Sequence, residues 1–495
     1  MKKILILIFT GILLVSLISC STTTTDDSDS TSAETTSADY DGLFEDNDSR
    51  VIDIYIDIDE DELQDMFDNA IDEEYHEATI TVDGITLENV GIRTKGASSL
   101  MSVASSDSDR YGFKIKTDKY VDDQTLNGLD KFVLNASFSD PSYMREYLTY
   151  VTASDFGLTT PNLIYTNVYF NDELFGFYLC VESYSDSFVE RVTDNDESAV
   201  LYKADSDNCN LATTDDTTGF EVKYGEDENN ANIENLITVL NNTTADNTSD
   251  LEAILDVDSV LKNIALNTVL GNYDSYSGSK AHNYYLLYTD GKFEYLGWDY
   301  NMSLGGFAED NGLSVNVDVE TPIYKTTLED RPLIDVLLSI DEYNTRYLEY
   351  IDTLTDYLND FQSTVDDLAT LISPYVEEDP TAFYDYDTYL ANITASDVDL
   401  TAVSTTTSNM ARPGLANANN TTELPDDAEL PDGELPAIPD DAELPDGELA
   451  NAQAGQIQRP QGGNLMNQNA ISSDTVSIID YITQRLAVIA EQLAE

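Results

Sequence analysis

Four side chains with oxygen donors bracket a short segment in the second half of the chain. Asp274 and Asn283 precede one run of β-forming residues, and Asp299 and Asn301 follow the next run. An Asp-Gly pair at 290–291 separates the two runs, which is the pattern of a β-hairpin. Because a hairpin returns the chain to its starting end, the four side chains are expected to lie close together. Carboxylate and amide oxygens grouped in this way are the ligands of hard cations and the usual parts of phosphoryl-transfer sites.

Asp and Asn also favour turns, because their side chains hydrogen-bond to nearby backbone and tolerate left-handed conformations. The chain has 95 acidic residues among its 495, so carboxylates are expected beside most of its turns. Spacing alone therefore favours turn residues over a chemical site, and the choice needs further observations.

Positive charge is concentrated in one segment. Six of the 23 basic residues fall between positions 93 and 119, beside a Gly/Ser stretch at 96–99: Arg93, Lys95, Arg110, Lys114, Lys116 and Lys119. In a chain with a formal net charge of −72, such a concentration predicts a local site for an anion. A face of salt bridges between two parts of the protein is the alternative. Lys114 and Lys116 alternate along one predicted strand, so they are expected on the same face.

The elements that would position these residues follow from hydrophobic periodicity. Runs of β-forming residues predict strands at 51–56, 78–82, 85–90, 113–116, 132–135, 166–170, 174–182, 201–203, 284–288 and 292–296. One helix is predicted just after Pro141, and a long one from about residue 251 leads to Asp274. Apolar residues at three- and four-residue steps between 333 and 361 predict a helical region, and a further helix at 364–372 should end before Pro374. The expected class is α+β, with a β-rich first part and a helical second part.

The N-terminus has the pattern of an exported lipoprotein. Residues 1–19 combine two lysines with an apolar run, and residues 17–20 (Leu-Ile-Ser-Cys) resemble the bacterial lipobox. We expect cleavage before Cys20, lipidation of that cysteine, and attachment to the extracytoplasmic face of the cell membrane. An ordinary signal peptide or an uncleaved anchor is the alternative. Residues 20–50, rich in Ser, Thr and Asp, are expected to form a disordered tether.

Two other features limit the possible partners and the fold. The charge of −72 argues against nucleic acid as a partner, because its phosphates would be repelled.

Residues 404–470 contain an acidic repeat, PDDAELPDGEL, at 425–435 and again at 439–449, and are expected to form a disordered insert. Apolar periodicity then returns and predicts a closing helix within 471–495. Cys180 and Cys209 could pair or stay reduced, and the sequence leaves this open.

Several motifs together resemble the spore-coat protein H (CotH) family of atypical protein kinases. They are the segment 91–99, which ends in the Gly/Ser stretch, Asn-Tyr-Asp at 272–274, Asn-Tyr-Tyr at 283–285, and Trp-Asp-Tyr-Asn at 298–301. The resemblance implies a bilobal kinase-like fold over residues 51–403, with a β-rich N-lobe and a helical C-lobe, completed by the last helix. It also implies transfer of the γ-phosphoryl group of ATP to Ser or Thr hydroxyls of a protein, with Mg2+ or Mn2+.

The resemblance assigns roles residue by residue. Asp274 would be the catalytic base or the group that orients the substrate, and Asp299 would act in catalysis and, with Asn283 and Asn301, hold the metal. The residues implied to bind nucleotide or phosphate are Arg93, Lys95, Ser98, Ser99, Lys114, Lys116, Glu146 and Glu182. Either Lys114 or Lys116 would be the nucleotide lysine, with Glu146 as the helix acid that pairs with it. Two positions depart from the family pattern: Asn301 replaces a common Asp, and Ala97 replaces the usual Asn.

A second class of function stays open. The same fold and the acidic repeats could serve a non-catalytic surface protein that binds partners or calcium. Retention of both Asp274 and Asp299 near a cation-rich segment favours the enzyme, since a protein that only binds partners has no need of both.

Overall fold

Seven strands from the first half of the chain close into a barrel in the computed structural model of the protein. They are β1 (Ile52–Ile58), β2 (His76–Val82), β3 (Ile85–Lys95), β4 (Gly112–Lys116), β5 (Lys131–Asn135), β6 (Leu163–Phe170) and β7 (Glu173–Glu182). Their order is β1-β2-β3-β4-β5-β7-β6, and a parallel pairing of β1 with β6 closes the barrel. The structure describes residues 40–401 and 476–494, apart from 195, 207–208, 215–216, 308–312 and 397.

Alternation along the strands separates an apolar interior from a polar outer face. In β4, Phe113 and Ile115 are fully buried, whereas Lys114 and Lys116 lie on the opposite face, as the sequence predicts. Lys114 lies directly across from Arg93 of β3 in the antiparallel register. The outer face of β3 and β4 therefore gathers positive charge, while the interior packs aromatic and branched side chains.

A second sheet has four strands, all paired antiparallel. They are β8 (Val200–Ala204), β9 (Phe220–Tyr224), β10 (Tyr284–Thr289) and β11 (Lys292–Gly297), in the order β11-β10-β8-β9. The predicted hairpin at 284–296 is thus confirmed. The expectation of a helical second part was incomplete, because the hairpin pairs with β8 to build a sheet among the helices.

Helices complete the α+β fold. They are α1 (Glu60–Asp68), α2 (Ser98–Ala104), α3 (Arg145–Asp155), α4 (Asp186–Val192), α5 (Ala231–Asn242), α6 (Thr248–Glu252), α7 (Val257–Leu270), α8 (Pro332–Leu338), α9 (Asp341–Tyr357), α10 (Phe361–Glu378), α11 (Tyr386–Ile393) and α12 (Ile478–Gln492). Helix α7 is buried along almost its whole length, which makes it the central helix of this part of the fold. It ends directly before the segment that carries Asp274.

The structure corrects two boundaries. Folded structure begins before residue 51, because Tyr40, Leu43 and Phe44 of the expected tether are buried in the barrel's hydrophobic cluster. Helix α10 continues through Pro374 to Glu378 instead of ending before the proline. Proline removes one backbone donor and crowds the preceding turn, but Val376 beyond it is buried, and that packing offsets the local cost.

Other predictions concern residues whose structure is not described. Residues 1–19, Cys20 and the acidic insert at 404–470 lie outside the described ranges. Cys180 and Cys209 are described, and both are buried free thiols. Among the helices of the described residues, none combines the length and the apolar character needed to cross a membrane.

Candidate functional site

The β10–β11 hairpin brings Asn283 and Asp299 to one end of the second sheet. Tyr284 pairs with Gly297 at the end of the ladder, and the Trp298 amide donates to the Asn283 carbonyl at 3.1 Å. Asn283 and Asp299 both have left-handed backbones, with φ of 55° and 60°. This conformation costs energy for residues other than glycine and often occurs at functional sites. The hairpin therefore forms the juxtaposition that the sequence predicts.

Asp274 is fixed to the start of the same hairpin by its side chain. Its Oδ1 lies 2.7 Å from Nε2 of His282, and its Oδ2 accepts from the side-chain amide of Asn283 at 3.1 Å. The same Asn283 amide also donates to the Asp274 carbonyl at 2.9 Å. His282 was not among the predicted site residues. Its signal was its rarity, since the chain has only two histidines and this one adjoins Asn283.

A third carboxylate lies close to Asp299. Glu146 of α3 is buried, and its pKa is raised to about 8, first by burial and then by the negative charge of Asp299. Burial also raises the pKa of Asp299, and the carboxylate of Asp274 adds to this effect. Asp299 is therefore near enough to both Glu146 and Asp274 for mutual repulsion, although the three residues come from separate segments of the chain.

Glu146 is joined to a lysine, but through an intermediate residue. The Asn135 amide donates to both Glu146 oxygens at 2.9 Å, and Lys95 Nζ donates to Asn135 Oδ1 at 2.5 Å. The predicted partner of Glu146 was Lys114 or Lys116, whereas the structure joins it to Lys95 of β3. Asn135, at the end of β5, was missed because an amide at a strand end has many ordinary explanations.

Lys114 lies in a group of like charges. Its pKa is lowered to about 7, first by burial and then by the positive charges around it. Those charges belong to Arg93, Lys95, Lys131 and Lys203. We call Lys114 and these four residues the cation cluster. Lys95 and Lys203 also act on Asp299, where their positive charges oppose the rise of its pKa. The cation cluster therefore adjoins Asp299 and, through Lys95, Glu146.

Other basic residues of the 93–119 segment are engaged elsewhere. Arg110 and Asp379 form a fully buried ion pair at 2.8 Å, which corrects the expectation of an anion site at Arg110. Lys116 is 3.5 Å from Asp118, and Lys119 lies over the Tyr75 ring at 4.9 Å. Arg93, a member of the cation cluster, also pairs with Glu73 at 2.7 Å. The salt-bridge explanation thus holds for Arg93, Arg110 and Lys116, whereas an anion site at the cation cluster stays a prediction.

Glu182 is held in a buried network of its own. Its carboxylate accepts from Arg191 at 2.6 Å, from the Asn162 amide at 2.8 Å, and from the Tyr40 hydroxyl. Burial is the main reason that its pKa is raised. These contacts use the carboxylate to hold α4 and the segment before β1 against β7, so Glu182 is not brought together with the carboxylates around Asp299.

The remaining predicted residues lie on short connecting elements. Ser98 and Ser99 open α2 directly after the Gly96 turn, and Ser98 is exposed. Asn301 is in a single 3-10 turn, Tyr300–Met302, immediately after Asp299. Its position therefore follows that of Asp299.

The oxygen donors of the site fit a hard divalent cation. Within the described ranges, no three His, Cys, Asp or Glu side chains are grouped so that they could hold a metal ion by themselves. Mg2+, however, is commonly held by one or two carboxylates together with water and phosphate oxygens. Asp299 and the adjacent amide of Asn283 supply donors of that kind. The raised pKa of Asp299 marks a carboxylate whose ionised form a nearby cation would stabilise.

Comparisons with known proteins identify the family to which this part of the chain is similar. A sequence profile of the family described as "CotH kinase protein" matches residues 92–409. The chain is also similar to "Inner spore coat protein H" of Bacillus subtilis (strain 168), with 29% identity over 195 residues. That alignment covers 37% of this chain and 52% of the relative, so it spans about half of the relative's length. The profile match includes the cation cluster, the Asp274 loop and the β10–β11 hairpin.

Proposed function

The chain belongs to the CotH family of kinase proteins, and on that premise we propose that it transfers the γ-phosphoryl group of ATP to Ser or Thr hydroxyls of proteins. The observation that carries the proposal is that negatively and positively charged side chains lie close together. The Asp299 carboxylate lies near that of Asp274, and the positive charges of Lys95 and Lys203 from the cation cluster act on it. Phosphoryl transfer needs little covalent chemistry from the protein and depends on positioning and charge neutralisation.

The cation cluster would bind the triphosphate. Lys114 is half-buried among other cations, and this lowers its pKa, so an anion there would relieve their mutual repulsion. Lys95 is held by Asn135, and Arg93 lies across from Lys114 in the strand register. The Gly/Ser turn that leads to Ser98 and Ser99 follows Lys95 directly, which supports a contact of this turn with the phosphates.

Asp299 and Asn283 would hold Mg2+ or Mn2+, with Asn301 two residues further along the chain. When bound, the metal neutralises charge on the phosphate oxygens. The contribution of the chain itself is rigidity. Asp299 follows the last strand of the hairpin, and its amide donates to the Tyr150 hydroxyl at 3.3 Å. The Asp299 backbone is thereby held against α3, which carries both Tyr150 and Glu146.

Asp274 would accept the proton of the substrate hydroxyl. The hydroxyl oxygen forms a bond to the γ-phosphorus while the bond from that phosphorus to the bridging oxygen of ADP breaks. The proton leaves with the Asp274 carboxylate, and ADP keeps the bonding electrons of the broken bond. His282 and Asn283 hold this carboxylate through both oxygens, which is the arrangement that a positioned general base requires.

The kinase-like division into two lobes belongs to the same proposal. The barrel, which carries most of the cation cluster, would correspond to the N-lobe, and the four-stranded sheet with its helices would correspond to the C-lobe. Helix α3 supports this assignment, because its Glu146 is linked to the barrel lysine Lys95 through Asn135.

We also propose that Cys20 is the lipidated first residue of the mature protein. A diacyl anchor supplies two chains, which suffices for stable membrane attachment. Cys20→Ser should release the protein from the membrane or leave it unprocessed. If this variant stays membrane-bound and its signal peptide is cleaved as in the wild type, the proposed lipidation of Cys20 is wrong.

The direct test is transfer of labelled γ-phosphate from ATP by purified residues 21–495 with Mg2+ or Mn2+. Candidate acceptors are proteins rich in Ser and Thr, and the matched control is the Asp274→Asn variant. Metal-dependent incorporation that the variant lacks would support the proposal. Nucleotide binding without transfer to any acceptor, or no binding at all, would favour the non-catalytic alternative.

A further inference from the structure

Helix α12 lies against the loops that carry Asp274 and Asp299, although residues 402–475 separate it in sequence from the rest of the described chain. Tyr481 of α12 is fully buried and is in contact with both loops. A side chain at Gly271, three residues before Asp274, would occupy the space of the Tyr481 hydroxyl. A Cβ at Gly305, six residues after Asp299, would lie 2.9 Å from Tyr481 Cδ2.

The two glycines also have backbones that favour glycine. Gly271 ends α7 with φ of 66°, and Gly305 has φ of 80°. Close by, the Leu304 amide donates to the Leu270 carbonyl at 2.7 Å, so the two loops touch at the place where Tyr481 lies. The tyrosine ring packs against Gly271 and Gly305 beside this hydrogen bond, and its size limits how closely these two glycines can approach each other.

Other contacts hold α12 in this position. Arg485 is fully buried and donates to the Thr268 carbonyl of α7 at 3.0 and 3.1 Å. It also donates to the Val315 and Val317 carbonyls at 2.9 and 2.6 Å. Arg145, which precedes Glu146, donates to the Val476 carbonyl at 2.7 Å. Helix α12 is thus joined to α7, to the segment after the Asp299 loop, and to α3.

We propose that Tyr481 is a positioning residue that sets the separation between the Asp274 and Asp299 loops. The proposal rests on the proposed function, because the two carboxylates must be held at a fixed spacing to act on the two ends of one transfer step. Tyr481 itself touches neither ATP nor the acceptor; it acts through the backbone at Gly271 and Gly305. A misplacement of about 1 Å between reacting groups can lower the rate by about a hundredfold.

The test compares Tyr481→Ala with Ile489→Ala in purified residues 21–495. Ile489 is fully buried on the same helix, two turns further on, and serves as a control for loss of packing alone. Below the unfolding temperature of both variants, kcat of Tyr481→Ala should fall at least about tenfold, whereas that of Ile489→Ala stays within about threefold of wild type. KM for ATP should change less than kcat in Tyr481→Ala, because four of the five residues of the cation cluster lie on barrel strands. Tyr481→Phe keeps the ring and should restore most of kcat.

Hydrogen exchange gives a second measurement that needs no activity. Amides in residues 271–275 and 299–306 should exchange at least about tenfold faster in Tyr481→Ala and at the wild-type rate in Ile489→Ala. If wild type transfers no phosphate, the proposed function is wrong, and exchange alone decides whether Tyr481 positions the loops. If wild type is active and the two alanine variants lose kcat and protection equally, the positioning role is wrong.

Discussion

Lys114 should make nucleotide binding depend on pH in the neutral range. Its pKa is lowered to about 7, because burial and four neighbouring cations disfavour its charged form. A bound triphosphate would supply the negative charge that restores an ordinary lysine pKa. About half of the free protein therefore has a charged Lys114 at pH 7, and about one molecule in a hundred at pH 9. The Kd for Mg-ATP should consequently rise by about fiftyfold between these two values.

Calorimetric titration of Mg-ATP at several pH values between 7 and 9 measures this effect. The range avoids the titration of the terminal phosphate, which lies near pH 6. Lys114→Arg keeps a permanent positive charge and should flatten the profile. Glu146, whose pKa is about 8, is unchanged in this variant. The difference between the wild-type and Lys114→Arg profiles therefore reports Lys114 alone.

Lys116→Met is the matched control, because Lys116 shares the strand face of Lys114 but lies 3.5 Å from Asp118. This variant should keep the wild-type pH profile. If wild type binds Mg-ATP equally well at pH 7 and pH 9, or if Lys116→Met removes the pH dependence, the assignment of Lys114 as the phosphate lysine is refuted.

Two further predictions concern stability. Glu146 should make the folded protein less stable as the pH rises from about 4.5 to about 8, because in this range the folded protein keeps the Glu146 proton and the unfolded chain has released it. In thermal unfolding between pH 5 and 8, the unfolding temperature of Glu146→Gln should therefore fall less with pH than that of wild type. An equal pH dependence in the two proteins would contradict this prediction. Asp379→Ala should lower the free energy of unfolding, measured in urea, by about 3–5 kcal/mol, because it leaves the buried Arg110 guanidinium without its negatively charged partner. The double variant Arg110→Met with Asp379→Ala should recover a large part of this loss, and failure to do so would show that the two residues act independently.

The hairpin and the residues at its end could be predicted because their signals are local. Alternating β-formers around Asp290-Gly291 fix the register, and this register places Asn283 opposite Trp298, the residue before Asp299. Strand alternation likewise sufficed to place Lys114 and Lys116 on one face. These predictions needed no knowledge of partners far away in the chain.

Long-range pairing could not be predicted in the same way. The parallel pairing of β1 with β6 joins Ile52 to Thr166, and nothing in either strand indicates that a barrel closes there. Arg110 is near Lys114 in sequence, yet its partner Asp379 is 269 positions away. Composition could show that cations cluster, but it could not show which of them are buried in ion pairs.

The bridge from Lys95 to Glu146 shows the same limit. Asn135 is neither charged nor part of a recognised motif, and its role depends on α3 packing against the end of β5. Lys203 acts on Asp299 only because β8 pairs with β10. Both residues belong to the site through tertiary contacts that the sequence does not encode locally.

The most direct test of the phosphoryl-transfer mechanism is calorimetric titration of Mg-ATP into Asp299→Ala and Asp274→Asn, paired with their phosphate-transfer rates. Asp299→Ala should weaken metal-dependent nucleotide binding as well as turnover, because it removes a charged ligand of the cation. Asp274→Asn should leave nucleotide binding nearly intact and lower turnover by about a hundredfold or more, the scale of a lost proton acceptor. Full activity of Asp299→Ala would contradict the mechanism outright.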